Sequence, residues 1–150
     1  MRDWVVEQYS PPGDKKRLLY ILEKLDEIMN PKISDRTDIE KYAEKLCSLA
    51  ELFYITHNRE DIANCAVYMN EKTGYISSFG VIEQAQRMGV GKMLMTSVID
   101  EAGRRGLEKL GLEVYVCNHA AILFYQSMGF EIKDIQERWC RMYLKCGVII

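Results

Sequence analysis

The chain has 150 residues, of which 48% are hydrophobic and 28% charged, and its formal net charge is −2. That length supports one domain with a proper core rather than two ordinary ones, and the composition suits a soluble globular protein, not a disordered one. Basic residues are scattered among acidic ones, which argues against a nucleic-acid partner, and no apolar run is long enough to cross a bilayer.

Residues 4–8 read as a first strand, ended by the turn Ser10-Pro11-Pro12-Gly13. Asp14 is placed to cap a helix carrying Leu18, Leu22, Leu25 and Met29 on one face and closing at Asn30-Pro31. After a polar link over 32–36, Thr37 and Glu40 form a capping box for a second helix with the apolar stripe Ile39, Tyr42, Ala43, Leu46 and Ala50. Residues 52–57, 62–69 and 75–81 read as an antiparallel meander, joined by a polar turn at 58–61 and a hairpin loop at 70–74. QRMGVG, residues 86–91, leads into a helix where Leu94, Met95, Val98, Ile99 and Ala102 recur at helical spacing, and Gly106 ends it. A strand over 109–116 alternates Leu110, Leu112, Val114 and Val116 with Glu113 and Tyr115 on the opposite face. Asn118 caps a short helix over 119–128 stopped by Gly129, and strands at 130–135 and 139–145 follow. Strand, helix, strand around the glycine turn implies a right-handed crossover and locally parallel strands within an otherwise antiparallel sheet. That is a mixed sheet in an α/β or α+β setting, with a ligand expected where the strand bearing Val81 ends.

The glycine turn is neither of the two familiar phosphate loops. A P-loop requires a glycine five residues before Gly91 and a Ser or Thr after Lys92, where Gln86 and Met93 stand; the dinucleotide fingerprint requires a small residue where Leu94 stands. The remaining form, Gln-x-x-Gly-x-Gly, is open to two readings. It is a plain strand-to-helix turn, or a place where bare helix-start amides receive a pyrophosphate. The five cysteines, Cys47, Cys65, Cys117, Cys140 and Cys146, are widely spaced without a C-x-x-C pair, so reduced and mostly buried thiols are expected. His57 and His119 lack companions at ligand spacing, so no metal site is expected. The polar start MRDWVVEQ lacks a secretory core, and the expected compartment is the cytoplasm.

About thirty residues beyond the glycine turn comes LEVYVCNHAAILFYQSMGF, residues 112–130: a strand ending near an Asn, then a short helix carrying Phe-Tyr and closing in Gly-Phe. Together the two stretches, over about residues 75–130, resemble the Gcn5-related N-acetyltransferase (GNAT) family. The resemblance implies an acyl-CoA N-acyltransferase fold, with a mixed and mostly antiparallel sheet of about seven strands flanked by about four helices, as a single domain over residues 1–150. It also implies acetyl-CoA as cosubstrate, lying between the strand that ends at Val81 and the one that ends near Cys117. Arg87, Met88, Gly89, Val90, Gly91 and Lys92 would then offer N–H donors to the pyrophosphate. The edge at Phe79, Gly80 and Val81 would bind the pantetheine amides as a mock strand. Asn118 matches the family asparagine that holds the same arm; its alternative reading is a plain helix cap.

Acyl transfer from a thioester to an amine needs a neutral amine, a stabilised carbonyl oxygen and a proton for the departing thiolate. By the resemblance, Tyr125 is the catalytic tyrosine that protonates the sulfur. Family members often place a Glu on the strand before the glycine turn, but Ser77 and Ser78 stand there, and a neutral serine can at best orient water. Glu113, twelve residues before Tyr125, is the candidate base, as in the branch that acetylates protein N-termini; otherwise it is a strand glutamate facing solvent. The expected activity is transfer of acetyl to a primary amine, of a small molecule or a peptide N-terminus, by direct attack in a ternary complex. The acceptor is expected over residues 30–36 and 136–138. A non-catalytic acyl-CoA-binding or interaction module is the competing reading, nucleotide binding without acyl chemistry a weaker third, and a homodimer stays open.

Overall fold

The computed structural model describes residues 3–146. The first two and last four residues of the expected 1–150 domain lie outside the described residues. Seven strands form one sheet in the order β1-β2-β3-β4-β5-β7-β6. β1 (Trp4–Tyr9), β2 (Glu51–His57), β3 (Glu60–Tyr68) and β4 (Thr73–Val81) pair antiparallel in turn. The strand expected at 62–69 starts earlier, because its turn is only Asn58-Arg59, both at positive φ (51° and 66°) as a two-residue hairpin demands. β5 (Lys109–Tyr115) runs parallel to β4, and β7 (Trp139–Lys145) lies between β5 and β6 (Glu131–Gln136).

Helices cover both faces. On one face lie α1 (Lys15–Asp26) and α2 (Ile39–Leu49), burying Leu18, Leu22, Ala43 and Leu46 against Leu52, Tyr54 and Ala66. On the other, α3 (Val90–Arg104) buries Leu94, Met95 and Val98 in a core with Phe53, Ile55, Cys65 and Val67, while α4 (His119–Ser127) packs Ile122 and Phe124 on that core's margin. β2 therefore sends alternate side chains into two cores, so residues 51–56 are all buried.

Two helix ends differ from expectation. α1 does cap on Asp14, whose side chain accepts the Arg17 N–H, but it stops at Asp26, leaving Met29 beyond it. The Asp26 carboxylate accepts both the N–H and the hydroxyl of Ser34, at 3.0 and 2.6 Å, and so turns the chain. α2 is capped by Asp38 rather than Thr37: its carboxylate takes the amides of Glu40 and Lys41, while Glu40 reaches out to Lys15.

The feature that positions the site is a parting of strands. β4 and β5 pair only from Thr73↔Lys109 to Ile76↔Leu112. Beyond that, β4 stays with β3 and β5 with β7, so a gap opens through the sheet. Ser77 is the extra residue of a bulge in β4, between the pairs Val67↔Ile76 and Ala66↔Ser78. Tyr42 of α2 pins it, its hydroxyl 3.0 Å from the Ser77 carbonyl oxygen and 2.6 Å from Ser77 Oγ.

Candidate active site

The gap is the mouth of a continuous cleft of about 1490 Å³. Its floor is the edge of β4, Ser77 to Val81, where β5 has left the backbone unpaired on one side. At the end of that edge stands the glycine turn. Arg87 (φ 65°) and Gly89 (φ 89°) both adopt the left-handed region, which reverses the chain tightly enough to start α3. Gln86 fastens the turn to the strand, its side-chain amide donating to the Val81 carbonyl at 3.1 Å. Val90 is buried beneath, and the first rung of the helix is Met93 N–H to Gly89 O at 3.1 Å. The amides of Val90, Gly91 and Lys92 precede that rung and have no helical carbonyl to bond, which makes this end of the cleft a local concentration of donors. Arg87, Gly89, Gly91 and Lys92 line the cleft with Phe79, Gly80 and Val81.

The opposite wall comes from the end of β5 and from α4. Asn118 Oδ1 accepts the Ala121 N–H at 3.2 Å, so it is a helix cap, and its side-chain amide stays available at the exposed rim. One turn on, Phe124 stacks on Phe79 with centroids 5.6 Å apart, bridging the gap between the two walls. Tyr125 sits edge-on to Phe79 and Phe130, at 6.0 and 5.9 Å, and lines the same cleft. Burial pushes its phenol well above the usual tyrosine range, so it holds its proton at neutral pH.

Glu113 also lines the cleft, on the face of β5 opposite to Leu112 and Val114. Its Oε1 accepts the Tyr75 hydroxyl at 3.0 Å. Burial, and then the Glu113 charge, raise the Tyr75 phenol. The sequence did not single out Tyr75, because its meeting with Glu113 depends on the register Tyr75↔Gly111 across the crossover. Tyr42 was read as core stripe, and its hydroxyl proves to hold the bulge. Ser78, the other serine where a base was sought, is buried with its hydroxyl unbonded.

Beyond Glu113 the cleft opens towards the loop between α1 and α2, where Asn30, Pro31, Ile33 and Arg36 line it. The late hairpin contributes Trp139 rather than residues 136–138, and the Arg36 guanidinium lies 4.5 Å from the Trp139 ring centroid. His119 is exposed in the first turn of α4, and among the described residues no group of three or more His, Cys, Asp or Glu side chains is arranged to hold a metal ion. Among them, too, no helix is long and apolar enough to cross a membrane.

The model of the acetyltransferase (GNAT) family matches residues 4–130. The chain belongs to the GNAT acetyltransferase family. As a GNAT-type N-acetyltransferase it is 27% identical over 121 residues to N-alpha-acetyltransferase 50 of Danio rerio, covering 79% of this chain and 71% of that one. It is 35% identical over 89 residues to the [ribosomal protein bS18]-alanine N-acetyltransferase of Escherichia coli K12, a match spanning 58% of this chain and 59% of that relative. The crystal structure of the E. coli ribosomal-protein-S18-alanine N-acetyltransferase superposes with a TM-score of 0.81 at 22% identity, covering 97% of this chain and 96% of that one. That likeness establishes the seven-stranded GNAT fold. A GNAT acetyltransferase from Elizabethkingia anophelis, solved with acetyl-CoA bound, has a TM-score of 0.73 at 18% identity, covering 95% of this chain and 98% of its own.

Proposed function

We propose that this GNAT enzyme moves the acetyl group of acetyl-CoA to the α-amine of a peptide or protein N-terminus, by direct attack within a ternary complex. The observation that carries the reading is the parted sheet: one cleft joins the donor-rich turn at Gly89–Lys92, the unpaired β4 edge, the protonated Tyr125 and the carboxylate of Glu113. Those groups suit the parts of acetyl-CoA in order. The diphosphate takes the amides of the turn, the pantetheine amides take the edge at Phe79–Val81, and the thioester reaches the level where β4 and β5 part. Asn118 offers its amide to the same arm. The acceptor amine enters from the side of Arg36 and Trp139, and loses its proton to Glu113, which Tyr75 holds in place. Its nitrogen then bonds to the carbonyl carbon, the C–S bond breaks, and the thiolate takes its proton from the Tyr125 hydroxyl; the second proton, shed by the new amide nitrogen, restores the phenol, and Glu113 returns its proton to solvent. An N-terminal acceptor is favoured over a small amine because one relative above is named an N-alpha-acetyltransferase and the other an alanine N-acetyltransferase of a ribosomal protein, and because the acceptor end of the cleft is open.

The test is free-thiol release from acetyl-CoA with a panel of peptides and small amines. Tyr125→Phe, which removes only the hydroxyl, is expected to lower kcat by about 10²-fold while KM for acetyl-CoA changes little. An undiminished kcat in the folded variant removes Tyr125 from the mechanism. Tight CoA binding without thiol release for any amine would favour a binding module instead.

A further inference from the structure

α2 sorts its charges by side. Glu40 and Glu44 turn towards α1, where Lys15 Nζ meets them at 3.1 and 2.6 Å. Lys41 and Lys45, each one residue further along and a turn apart, line the cleft instead, exposed and without a carboxylate partner among the described residues. Arg36 joins them on the same wall, over Trp139. By contrast Arg17, Arg105 and Arg141 are matched, with Asp61, Glu51 and Asp134. Among the described carboxylates only Glu113 lines the cleft; nearby, Asp38 accepts the amides of Glu40 and Lys41, and Asp26 the amide and hydroxyl of Ser34. The wall is thus a cationic surface facing a single carboxylate.

We infer that the acceptor is a peptide whose α-amine goes to Glu113 and whose next few residues are acidic, taken up by Arg36, Lys41 and Lys45. The inference rests on the peptide N-terminal reading above. A free N-terminus followed by Asp or Glu has the matching charge order, positive at Glu113 and negative along the wall. The cofactor's phosphates are a poorer fit for these lysines. Tyr42, between them, is bonded to Ser77, four residues of strand or about 13 Å short of Val81, where the glycine turn begins. Arg87 and Lys92 already serve that end.

The experiment compares thiol release with two peptides of equal length and identical first residue, one with two glutamates at its second and third positions, the other with two lysines there. The expected kcat/KM favours the acidic peptide by about tenfold or more at low salt, shrinking several-fold in about 0.5 M salt. The double variant Lys41→Glu, Lys45→Glu, with its fold checked by circular dichroism, is expected to reverse the order. Equal kcat/KM for the two peptides in the wild-type enzyme overturns this inference and leaves the N-terminal reading standing. Thiol release with neither peptide overturns both. A raised KM for acetyl-CoA in the double variant, with the peptide ratio unmoved, assigns the lysines to the cofactor and overturns the inference too.

Discussion

Glu113 is a glutamate on a strand, and only its company separates a base from a solvent-facing side chain. That company is Tyr75, whose hydroxyl fixes one carboxylate oxygen and leaves the other free to take a proton. Glu113→Gln keeps an oxygen that accepts the Tyr75 hydroxyl but cannot accept a proton from an ammonium. Its expected effect is therefore chemical: stability within about 0.5 kcal/mol of wild type, with kcat/KM down by about 10²-fold near neutral pH. The rising limb of the pH–rate profile should move to higher pH, where more of the amine is already neutral. A variant with the wild-type profile would mean that the proton leaves by another route. That Tyr125 and Glu113 face one cleft was legible because a motif fixes their spacing along the chain. Tyr75 and Tyr42 were not, since what they do depends on which strand lies beside them in space.

At the scale of elements, the glycine turn shows why its sequence alone was ambiguous. A structural turn and a phosphate turn use the same glycines; what separates them is whether the amides open onto a ligand-sized space. Gly89 sits at φ 89°, and a Cβ built there would meet nothing within 4 Å, so its glycine answers to backbone conformation and not to crowding. Gly89→Ala is expected to cost about 1 kcal/mol of stability by left-handed strain and to rotate the amides that follow. Calorimetry should then find CoA bound about tenfold more weakly, and Gly89→Asn, which tolerates this region better, should recover part of the loss. If Gly89→Ala destabilises the protein but binds CoA as wild type does, the diphosphate does not rest on this turn. The capping box at Thr37 failed for a comparable reason: two adjacent cap candidates compete, and Asp38 wins because one carboxylate oxygen satisfies two amides at once.

Across the whole molecule, the elements were readable because burial marks them, as a continuous apolar run in β2 and a helical stripe on α3, whereas the parting of β4 from β5 was reached only through the family resemblance. No residue pattern encodes a missing ladder; the β4–β5 pairing ends at Ile76, just before the Ser77 bulge, while β5 keeps its pairing with β7 as far as Tyr115. Part of what ties the sheet to its helices is electrostatic. Arg105, at the end of α3, bridges Glu101 on its own helix and Glu51 at the start of β2, with Nε 2.7 Å from Glu101 Oε2 and Nη2 2.8 Å from Glu51 Oε1. Ser10, just after β1, donates to the same Glu51 oxygen at 2.6 Å. The hydrogen bond from Arg105, with Arg104 assisting, holds the Glu101 carboxyl at about 2 against an ordinary 4.5. A depressed folded value means stability that is complete above about pH 4.5 and is lost as pH falls towards 2. With the Glu101 side chain only 13% exposed, the contribution is of the order of 1–3 kcal/mol. Denaturant unfolding should therefore find Glu101→Gln less stable than wild type by that amount at neutral pH, with the difference narrowing by about pH 3. A gap of the same size at both pH values would mean that Glu101 braces the helix by shape and not by charge.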